Sequence, residues 1–260
     1  MAHTIYENIV LANKIEDILT TKVDLNNYMT IDTSLTQEAG MTKNVHVYTA
    51  KGGVKDVAQG EGNNGVGTEV TFKNVPYTVT TTQGYFQYFD EEEMTDPMVV
   101  DAGLDGVAKE MINKFTEKAI AEFEKANELE GTHAAWSFDV VVDAIAEMDL
   151  EAEDGLFLLI SPADKAAFRK ALKDDLSYSE GFVRTGYIGT VCGVPVIVSK
   201  AVAAGKGYLA TKEAVTLFIK KDTEVEQDRD KDIRLNKHWI RKVAVVALTD
   251  ATKAVKITIG

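Results

Sequence analysis

The sequence predicts an α+β protein, and three observations carry that prediction. Residues 45–85 alternate apolar and polar side chains around a glycine-rich centre, which is typical of an extended β-hairpin. Apolar residues then recur at helical spacing up to Gly131, and nearly everything after residue 206 has strand character. The chain accordingly divides into an N-terminal arm (1–44), the hairpin (45–85), a long helix (86–131), a mixed α/β segment (132–205) and a β-rich end (206–260).

The composition favours a folded, soluble protein. Its 260 residues, 45% of them hydrophobic, suffice for a sizeable core. With 41 acidic against 28 basic residues the formal charge is −13, which disfavours a dedicated DNA- or RNA-binding role but not a wall that encloses DNA. Cys192 is the single cysteine, so no disulfide forms within the chain. The sequence shows neither a secretory signal nor an apolar run of ~18 residues, so we expect no membrane association.

The sequence of the N-terminal arm predicts a helix followed by an extended segment. Apolar residues recur at three- and four-residue spacing over residues 5–22, which predicts an amphipathic helix. The polar residues that follow, up to Lys43, show no clear period and favour an extended arm.

The hairpin segment combines two strand patterns with a connection rich in glycine. Residues 51–67 hold six of the chain's 19 glycines, and the residues on both sides alternate as strands do. Glycine adopts turn conformations freely but weakens a strand that has nothing to pack on. Because an isolated hairpin is only marginally stable in water, we expect this one to lie against another subunit.

A long helix is predicted after the hairpin. Asp96 is a suitable N-cap residue, Pro97 suits the first helical position, and the acids at 90–93 lie near the positive end of the helix dipole. The helix would run to Gly131, about 32 residues or on the order of 48 Å, which suits a subunit's spine better than a compact enzyme. Its apolar stripe consists of Val100, Leu104, Val107, Met111, Phe115, Ala119 and Phe123.

The sequence of residues 132–260 predicts two helices followed mostly by strands. Apolar residues from Phe138 to Met148 indicate a helix, residues 156–160 a buried strand, and Ser161–Pro162 the start of a second helix. A loop containing Gly181 and Gly186 follows. The predicted strands are a strand-turn-strand at 189–202, then 208–210, 214–219, 224–235, 240–248 and 254–259.

An uninterrupted run of charged residues, Asp228 to Asp232, precedes a buried strand. Its alternating aspartates resemble the start of a calcium loop, but Ile233 stands where that loop needs glycine and Trp239 where it needs glutamate. As a strand, the run would place its carboxylates on one face and its bases on the other. Two interpretations remain open, namely pairing with another subunit and a solvated strand edge whose charges prevent mispairing.

No residue pattern indicates catalysis, a cofactor or a metal site. Gly62, Gly65 and Gly67 have the reverse of the dinucleotide-binding spacing and precede no predicted helix. The four histidines lack metal-ligand spacing, and Cys192 fits a small buried hydrophobe. Acidic residues follow the aromatic cluster at 85–89 and disfavour base stacking, so we interpret the cluster as packing between the hairpin base and the long helix. We therefore expect a protein that is not an enzyme.

Two stretches and the order of the elements carry a resemblance to a known family. GTVCGVPVIVSKAV at 189–202 leads from a strand-turn-strand into small residues, and residues 224–257 run from the charged stretch into the last strands. With its arm, hairpin and long helix, the chain resembles the Hong Kong 97-type major capsid proteins of tailed phages. In that family the corresponding parts are the N-arm, the E-loop, the spine helix with the peripheral domain, and the axial domain. The end, 206–260, would return through the axial and peripheral domains.

The resemblance implies a subunit that self-assembles into hexamers and pentamers of an icosahedral shell around double-stranded DNA. Separate scaffolding and portal proteins, and decoration proteins, would be its other partners, with assembly in the host bacterial cytoplasm and a final place in the virion. The E-loop and the charged run would provide subunit contacts. The predicted interface residues are Lys51, Gly52, Gly53, Lys55, Gly60, Gly65, Asp228, Arg229, Asp230, Lys231, Asp232 and Arg234.

Other classes of protein remain compatible with the sequence. An encapsulin-type nanocompartment shares the fold and encloses enzymes rather than DNA. A β-rich tail or attachment protein would form small, discrete oligomers. An α/β enzyme would need a preformed pocket with converging titratable groups.

Overall fold

The computed structural model describes residues 6–7, 28–37, 39–51, 53–54, 56–62, 67, 69–131, 133–150, 155–172 and 189–260. These residues form two large sheets, a separate two-stranded sheet and four α-helices. The helices are α1 (Asp90–Thr95), α2 (Met98–Phe123), α3 (Phe138–Glu147) and α4 (Pro162–Ala171). The strands are β1 (Tyr6–Glu7), β2 (Thr30–Asp32), β3 (Thr42–Lys51), β4 (Glu69–Thr78), β5 (Thr80–Phe89), β6 (Asn127–Glu128), β7 (Leu156–Ile160), β8 (Thr190–Val191), β9 (Val194–Val198), β10 (Lys206–Thr211), β11 (Val215–Asp230), β12 (Leu235–Leu248) and β13 (Ala254–Thr258).

The five-stranded sheet is built on the two longest strands, β11 and β12, which pair antiparallel. Strand β5 extends the sheet beside β12, while β1 and β2 pair with β11. The two strands predicted at 214–219 and 224–235 are in fact one strand, because register shifts between Ile219 and Glu224 absorb the break in the pattern. The prediction is also wrong at its end, since β11 stops at Asp230 and residues 231–234 form a turn.

Helix α2 packs on this sheet and supplies much of the main core. Its predicted stripe is confirmed, because Leu104, Phe115 and Phe123 are completely or almost completely buried among residues of β10, β11 and β12. Full burial of each such side chain contributes about 1.5–3 kcal/mol. The helix has 26 residues, which corresponds to about 39 Å.

Both ends of α2 differ from the prediction. The helix ends at Phe123 rather than near Gly131, because the chain turns there and Asn127–Glu128 pair in parallel with β13. The acids expected to lie before the helix form the short helix α1 themselves.

The six-stranded sheet has the order β6-β13-β10-β7-β9-β8 and a second core of its own. The predicted buried strand is confirmed as β7. The predicted helix start is confirmed too, since the Ser161 hydroxyl accepts a hydrogen bond from the Asp164 amide and Pro162 begins α4. Helix α3 forms where predicted, with Val141 and Ala144 buried and with Phe138 and Val142 exposed.

The third sheet is the predicted hairpin, in which β3 and β4 pair antiparallel from Thr42↔Thr78 to Lys51↔Glu69. The predicted end of the hairpin at residue 85 is wrong, because residues 80–85 belong to β5 and pair with β12. Its base is attached to the five-stranded sheet through a small core. That core consists of Leu35, Val45, Val79, Phe218, Val245 and Ala247.

The N-terminal predictions have a mixed outcome. The helix predicted over 5–22 is wrong at Tyr6–Glu7, which form a strand beside β11, and its other residues lie outside the described part of the chain. The extended interpretation is confirmed at Thr30–Asp32 and wrong at Ser34–Thr36, which form a short 3₁₀ helix. The loop predicted around Gly181 and Gly186 lies outside the described residues. Residues 206–260 contribute two strands to each large sheet, and the assignment of segments to named domains stays a prediction.

Candidate functional site

The far half of the β3–β4 hairpin exposes apolar side chains. Val70 and Phe72 on β4 are 60% and 69% exposed, and Val54 in the connection is 95% exposed. The Phe72 ring meets the His46 ring edge-on, with 6.5 Å between centroids. Apolar side chains exposed together on a soluble protein mark a contact surface.

The exposure follows from the position of the hairpin in the fold. Val70 and Phe72 are two residues apart and therefore share one face of β4. In the described part of the chain, the sheet that contains them has two strands only. The hairpin is thus buried at its base and uncovered at its far half.

The structure places half of the hairpin's predicted contact residues. Lys51 is the last residue of β3 and pairs with Glu69. Gly53 and Gly60 lie in the connection, where Gly60 adopts a left-handed φ of +93°. Gly52, Lys55 and Gly65 lie outside the described residues.

The charged run covers the end of β11 and the first residues of the turn at the tip of the β11–β12 hairpin. Asp228, Arg229 and Asp230 end β11, and the next residues turn back into β12. The Asp230 carboxylate accepts a hydrogen bond of 3.1 Å from the Asp232 amide, which stabilises the turn. The interpretation of the run as a strand is therefore confirmed for Asp228, Arg229 and Asp230 and wrong for Lys231 and Asp232.

The two arginines of this tip bind carboxylates of helix α1 in the same chain. Arg229 pairs with Asp90, and Arg234 Nη1 lies 3.1 Å from Glu91 Oε1. The Asn236 amide donates a 2.7 Å hydrogen bond to Asp90. Sequence reasoning missed these partners, because the α1 acids are about 140 residues away in the chain and no local spacing connects them. Among the described residues, Asp228 and Lys231 make no ion pair.

The aromatic cluster at 85–89 is divided between the two faces of β5. Phe86 and Tyr88 pack with β12 and α2 as part of a ring stack, whereas Tyr85 and Phe89 are 41% and 42% exposed, so the packing interpretation is wrong for these two residues. Phe86, Tyr88 and His238 form a stack in which the Tyr88 and His238 rings lie 5.7 Å apart at 6°. His238 is 2% exposed, and neither of its ring nitrogens has a hydrogen-bond partner among the described residues. Burial lowers the pKa of His238, and the nearby Glu93 carboxylate opposes this shift. The stack therefore holds a neutral imidazole.

Among the described residues, the cleft beside α3 and the grouping of titratable side chains form no recognisable reaction centre. A cleft of about 670 Å³ beside α3 and β8 is lined by two titratable residues, Asp139 and Cys192. In the part of the chain that the structure describes, no three His, Cys, Asp or Glu side chains are grouped so as to hold a metal ion. The helices described are also too short or too polar to cross a membrane.

Comparison with known proteins identifies the family. Residues 73–257, from strand β4 to the last strand, match the family described as phage capsid protein. The chain belongs to this family. It is also 29% identical over 123 residues to the major capsid protein of Staphylococcus phage phiMR11, an alignment that covers 46% of the chain and 44% of the phage protein. This family is structural, so the expectation that the chain is not an enzyme is confirmed.

Solved structures show the same fold. The virus-like particle from Pyrococcus furiosus is similar with a TM-score of 0.66 and 12% identity, over 96% of this chain and 98% of that one. The structure from Mycobacterium phage Che8 is similar with a TM-score of 0.65 and 14% identity, over 99% of this chain and 93% of that one. The capsid of a native GTA particle is similar with a TM-score of 0.67 and 12% identity, over 91% of this chain and 90% of that one. At these identities the likeness concerns the fold, which agrees with the predicted Hong Kong 97-type class.

Proposed function

We propose that this chain is a major capsid protein whose copies assemble into the icosahedral shell of a phage head around double-stranded DNA. The family match over residues 73–257 supports a capsid role. The observation that carries the assembly is the hairpin, whose far half exposes Val70 and Phe72 beyond a buried base. Such a two-stranded element needs further packing to be stable.

The far half of the hairpin would lie on a neighbouring copy, as the E-loop of the family does. Covering Phe72 and Val70 removes apolar surface from water at about 25 cal/mol per Å². This gain repeats at every copy of the contact in a closed lattice. The hairpin residues proposed at the contact are Lys51, Gly52, Gly53, Lys55, Gly60 and Gly65.

A second contact would form at the tip of the β11–β12 hairpin, where copies meet in hexamers and pentamers. Because Arg229 and Arg234 bind α1, the proposed surface includes α1 as well as the tip. Asp228, Asp230, Lys231 and Asp232 would face the neighbouring copy. Exposed Met94 on α1 and Ile233 in the turn add apolar area to this surface.

The net charge of −13 suits a wall that faces packed DNA without binding its sequence. Scaffolding, portal and decoration proteins would be separate partners, and assembly would take place in the host bacterial cytoplasm. The likeness to the virus-like particle from Pyrococcus furiosus supports assembly into a shell but does not indicate what the shell encloses. Double-stranded DNA protected from nuclease inside particles made during infection would favour the phage head, and enclosed enzymes would favour an encapsulin-type compartment.

Size-exclusion chromatography followed by electron microscopy tests the proposal. The purified chain, alone or with its scaffolding protein, should form megadalton shells or rings of five and six subunits. Phe72→Ser should leave folded but unassembled subunits. The matched control is Phe138→Ser, which removes an exposed phenylalanine from α3 and should assemble normally. A chain that stays monomeric under every condition would contradict the shell, and normal assembly of Phe72→Ser would contradict the hairpin contact.

A further inference from the structure

Strand β5 is a long edge strand that lacks the usual protection against pairing with another chain. It has ten residues at one end of the five-stranded sheet, whereas the other described terminal strands of the two large sheets have two or three. Its sequence contains neither a charged residue nor proline, and its register with β12 runs without a shift from Thr80 to Phe89. Soluble proteins normally shorten, charge, bulge or cover such an edge, because its backbone groups pair readily with other strands.

The hydrogen bonds at the end of β5 show which of its backbone groups face outward. The Asp90 amide donates a 3.1 Å hydrogen bond to the Arg234 carbonyl opposite it. Residues of an antiparallel pair alternate between bonding to the partner strand and pointing away from it. The Phe89 amide accordingly points away from β12 and bonds to the Glu92 carboxylate. The other outward residues are Thr81, Gln83, Tyr85 and Gln87. Within the described part of the chain, the backbone groups of these four residues make no hydrogen bond.

The outward residues of β5 also carry exposed aromatic surface. Phe86 and Gly84 meet α2, so the alternate side chains of Tyr85 and Phe89 lie on the opposite face of the sheet. They are 41% and 42% exposed, and Trp239 beside them is 37% exposed. The Tyr85 and Trp239 rings lie 4.2 Å apart. On the α2 side, a cleft of about 510 Å³ lies beside the middle of β5. The edge is therefore accessible from both faces.

Strand β4 has an edge that matches that of β5. It also has ten residues. The Val79 amide donates a 2.7 Å hydrogen bond to the Met41 carbonyl, so the alternation turns the backbone groups of Val70 away from β3. Pro76 lacks an amide and disfavours strand addition near the hairpin base. The far half, with its exposed Val70 and Phe72 side chains, is thus the part of β4 suited to pairing.

Antiparallel pairing of the two edges would join their apolar side chains. Outward residues that stand opposite each other in an antiparallel pair carry their side chains on the same face. Val70 opposite an outward residue of β5 would therefore continue the row of Trp239 and Tyr85 with Val70 and Phe72. In a parallel pair, outward residues of one strand stand opposite inward residues of the other, so the two apolar groups would lie on different faces.

We propose that the edge of β5 binds the far half of β4 of a neighbouring copy in antiparallel orientation. The sheet of one subunit then continues into the hairpin of the next. This contact rests on the proposed function, in which the hairpin lies on a neighbouring copy, and it identifies the surface that receives the hairpin. Main-chain hydrogen bonds hold the added strand, while Trp239 and Tyr85 select its Val70 and Phe72 side chains.

Disulfide trapping in assembled particles tests the contact. Each chain carries Val70→Cys and one cysteine on β5, in a Cys192→Ser background. The β5 cysteine replaces each outward residue in turn, namely Thr81, Gln83, Tyr85 or Gln87. Opposite residues of this kind have Cα atoms about 5.5 Å apart, which a disulfide can span. On oxidation, we expect one of the four pairs to link subunits at least tenfold more than the control pair Val70→Cys with Thr82→Cys, whose β5 cysteine lies on the other face.

Single-cysteine chains distinguish the occupants of the edge. Tyr85→Cys without Val70→Cys should remain a single chain, and linked pairs from it would show that two β5 edges bind each other, which would overturn the proposal. Particles in which none of the four pairs links above the control would also overturn it, while leaving the proposed shell intact. A Cys192→Ser chain that never assembles would count against the proposed function and, with it, this contact.

Hydrogen exchange of the unmodified chain tests the same edge without any substitution. The Gln83 and Tyr85 amides should exchange rapidly in dissociated subunits and at least tenfold more slowly in particles. The Gly84 amide, which the alternation directs to β12, should exchange slowly in both. Equally rapid exchange of Gln83 and Tyr85 in subunits and particles would overturn the proposal, whatever the cysteine variants do.

Discussion

The β3–β4 and β11–β12 hairpins are both long antiparallel pairs, but their surroundings differ. The β11–β12 pair is covered by helix α2, flanked by β5, and bound at its tip to α1 through Arg229 and Arg234. The β3–β4 pair is covered at its base, and its far half leaves Phe72 exposed. The first hairpin is stabilised by its own chain, and we infer that the second is completed by another copy.

The largest contrast should be in subunit stability. Phe115→Ala removes a ring that is 1% exposed under the β11–β12 sheet and should lower the free energy of unfolding by about 3–5 kcal/mol. Phe72→Ala, in the far half of the other hairpin, should lower it by less than about 0.5 kcal/mol. Urea unfolding of unassembled subunits measures both. Equal losses would mean that the far half is packed within its own chain.

A smaller effect tests the close packing of α2 against β5. A Cβ at Gly103 would lie 2.2 Å from the Phe86 ring, whereas one at Gly106 would meet nothing within 4 Å. Gly103→Ala should therefore destabilise the subunit by about 1–3 kcal/mol. Gly106→Ala should stabilise it by up to about 1 kcal/mol through helix propensity. Thermal unfolding compares the two, and the same sign for both would contradict this packing.

Sequence patterns predicted the elements in which a local period dominates. The α2 stripe, the β3–β4 pairing and the Ser161–Pro162 helix start depend on residues close together in the chain. The end of α2 at Phe123 depends on a distant partner, because the chain leaves the helix there to pair Asn127–Glu128 with β13, and a single sequence does not show this. The alternation of Asp228 to Asp232 predicted a strand over all five residues, although the chain turns after Asp230.

The contact of the charged tip with α1 was missed because its partners lie far apart in the chain. Asp90 and Arg229 are joined across 139 positions. The same holds for the buried carboxylate of Glu122 in α2, since nothing local in the sequence distinguishes a buried carboxylate from an exposed one. A buried acid can be recognised from sequence only once its distant partners are known.

The stack around His238 should make the covered side of the molecule sensitive to acid. Burial lowers the pKa of His238 in the folded state, so the unfolded chain binds more protons as the pH falls below about 6.5. The buried, neutral His238 ring therefore stabilises the subunit fully above that pH, and this stabilisation is lost progressively as the pH decreases below it. His238→Phe, which keeps a ring in the stack, should show a shallower loss of melting temperature from about pH 7 to pH 5. Identical slopes would contradict a buried neutral imidazole.

The smallest effect is expected at the charged tip. Arg234 and Glu91 are both well exposed, so Arg234→Ala should change the stability of the unassembled subunit by no more than about 1 kcal/mol. Its melting temperature is compared with that of Lys231→Ala, which removes a lysine of the same turn. The difference measures how much the Arg234–Glu91 pair stabilises the contact with α1. A large loss for Arg234→Ala would show that α1 depends on this tip for folding.

Photo-crosslinking from the far half of the β3–β4 hairpin tests the central claim most directly. A benzophenone label at Val70→Cys, in a Cys192→Ser background, would be irradiated in assembled particles and in dissociated subunits. The account predicts covalent products of two or more chains from the particles and single chains from the dissociated subunits. Single chains alone from assembled particles would contradict a hairpin that lies on a neighbouring copy.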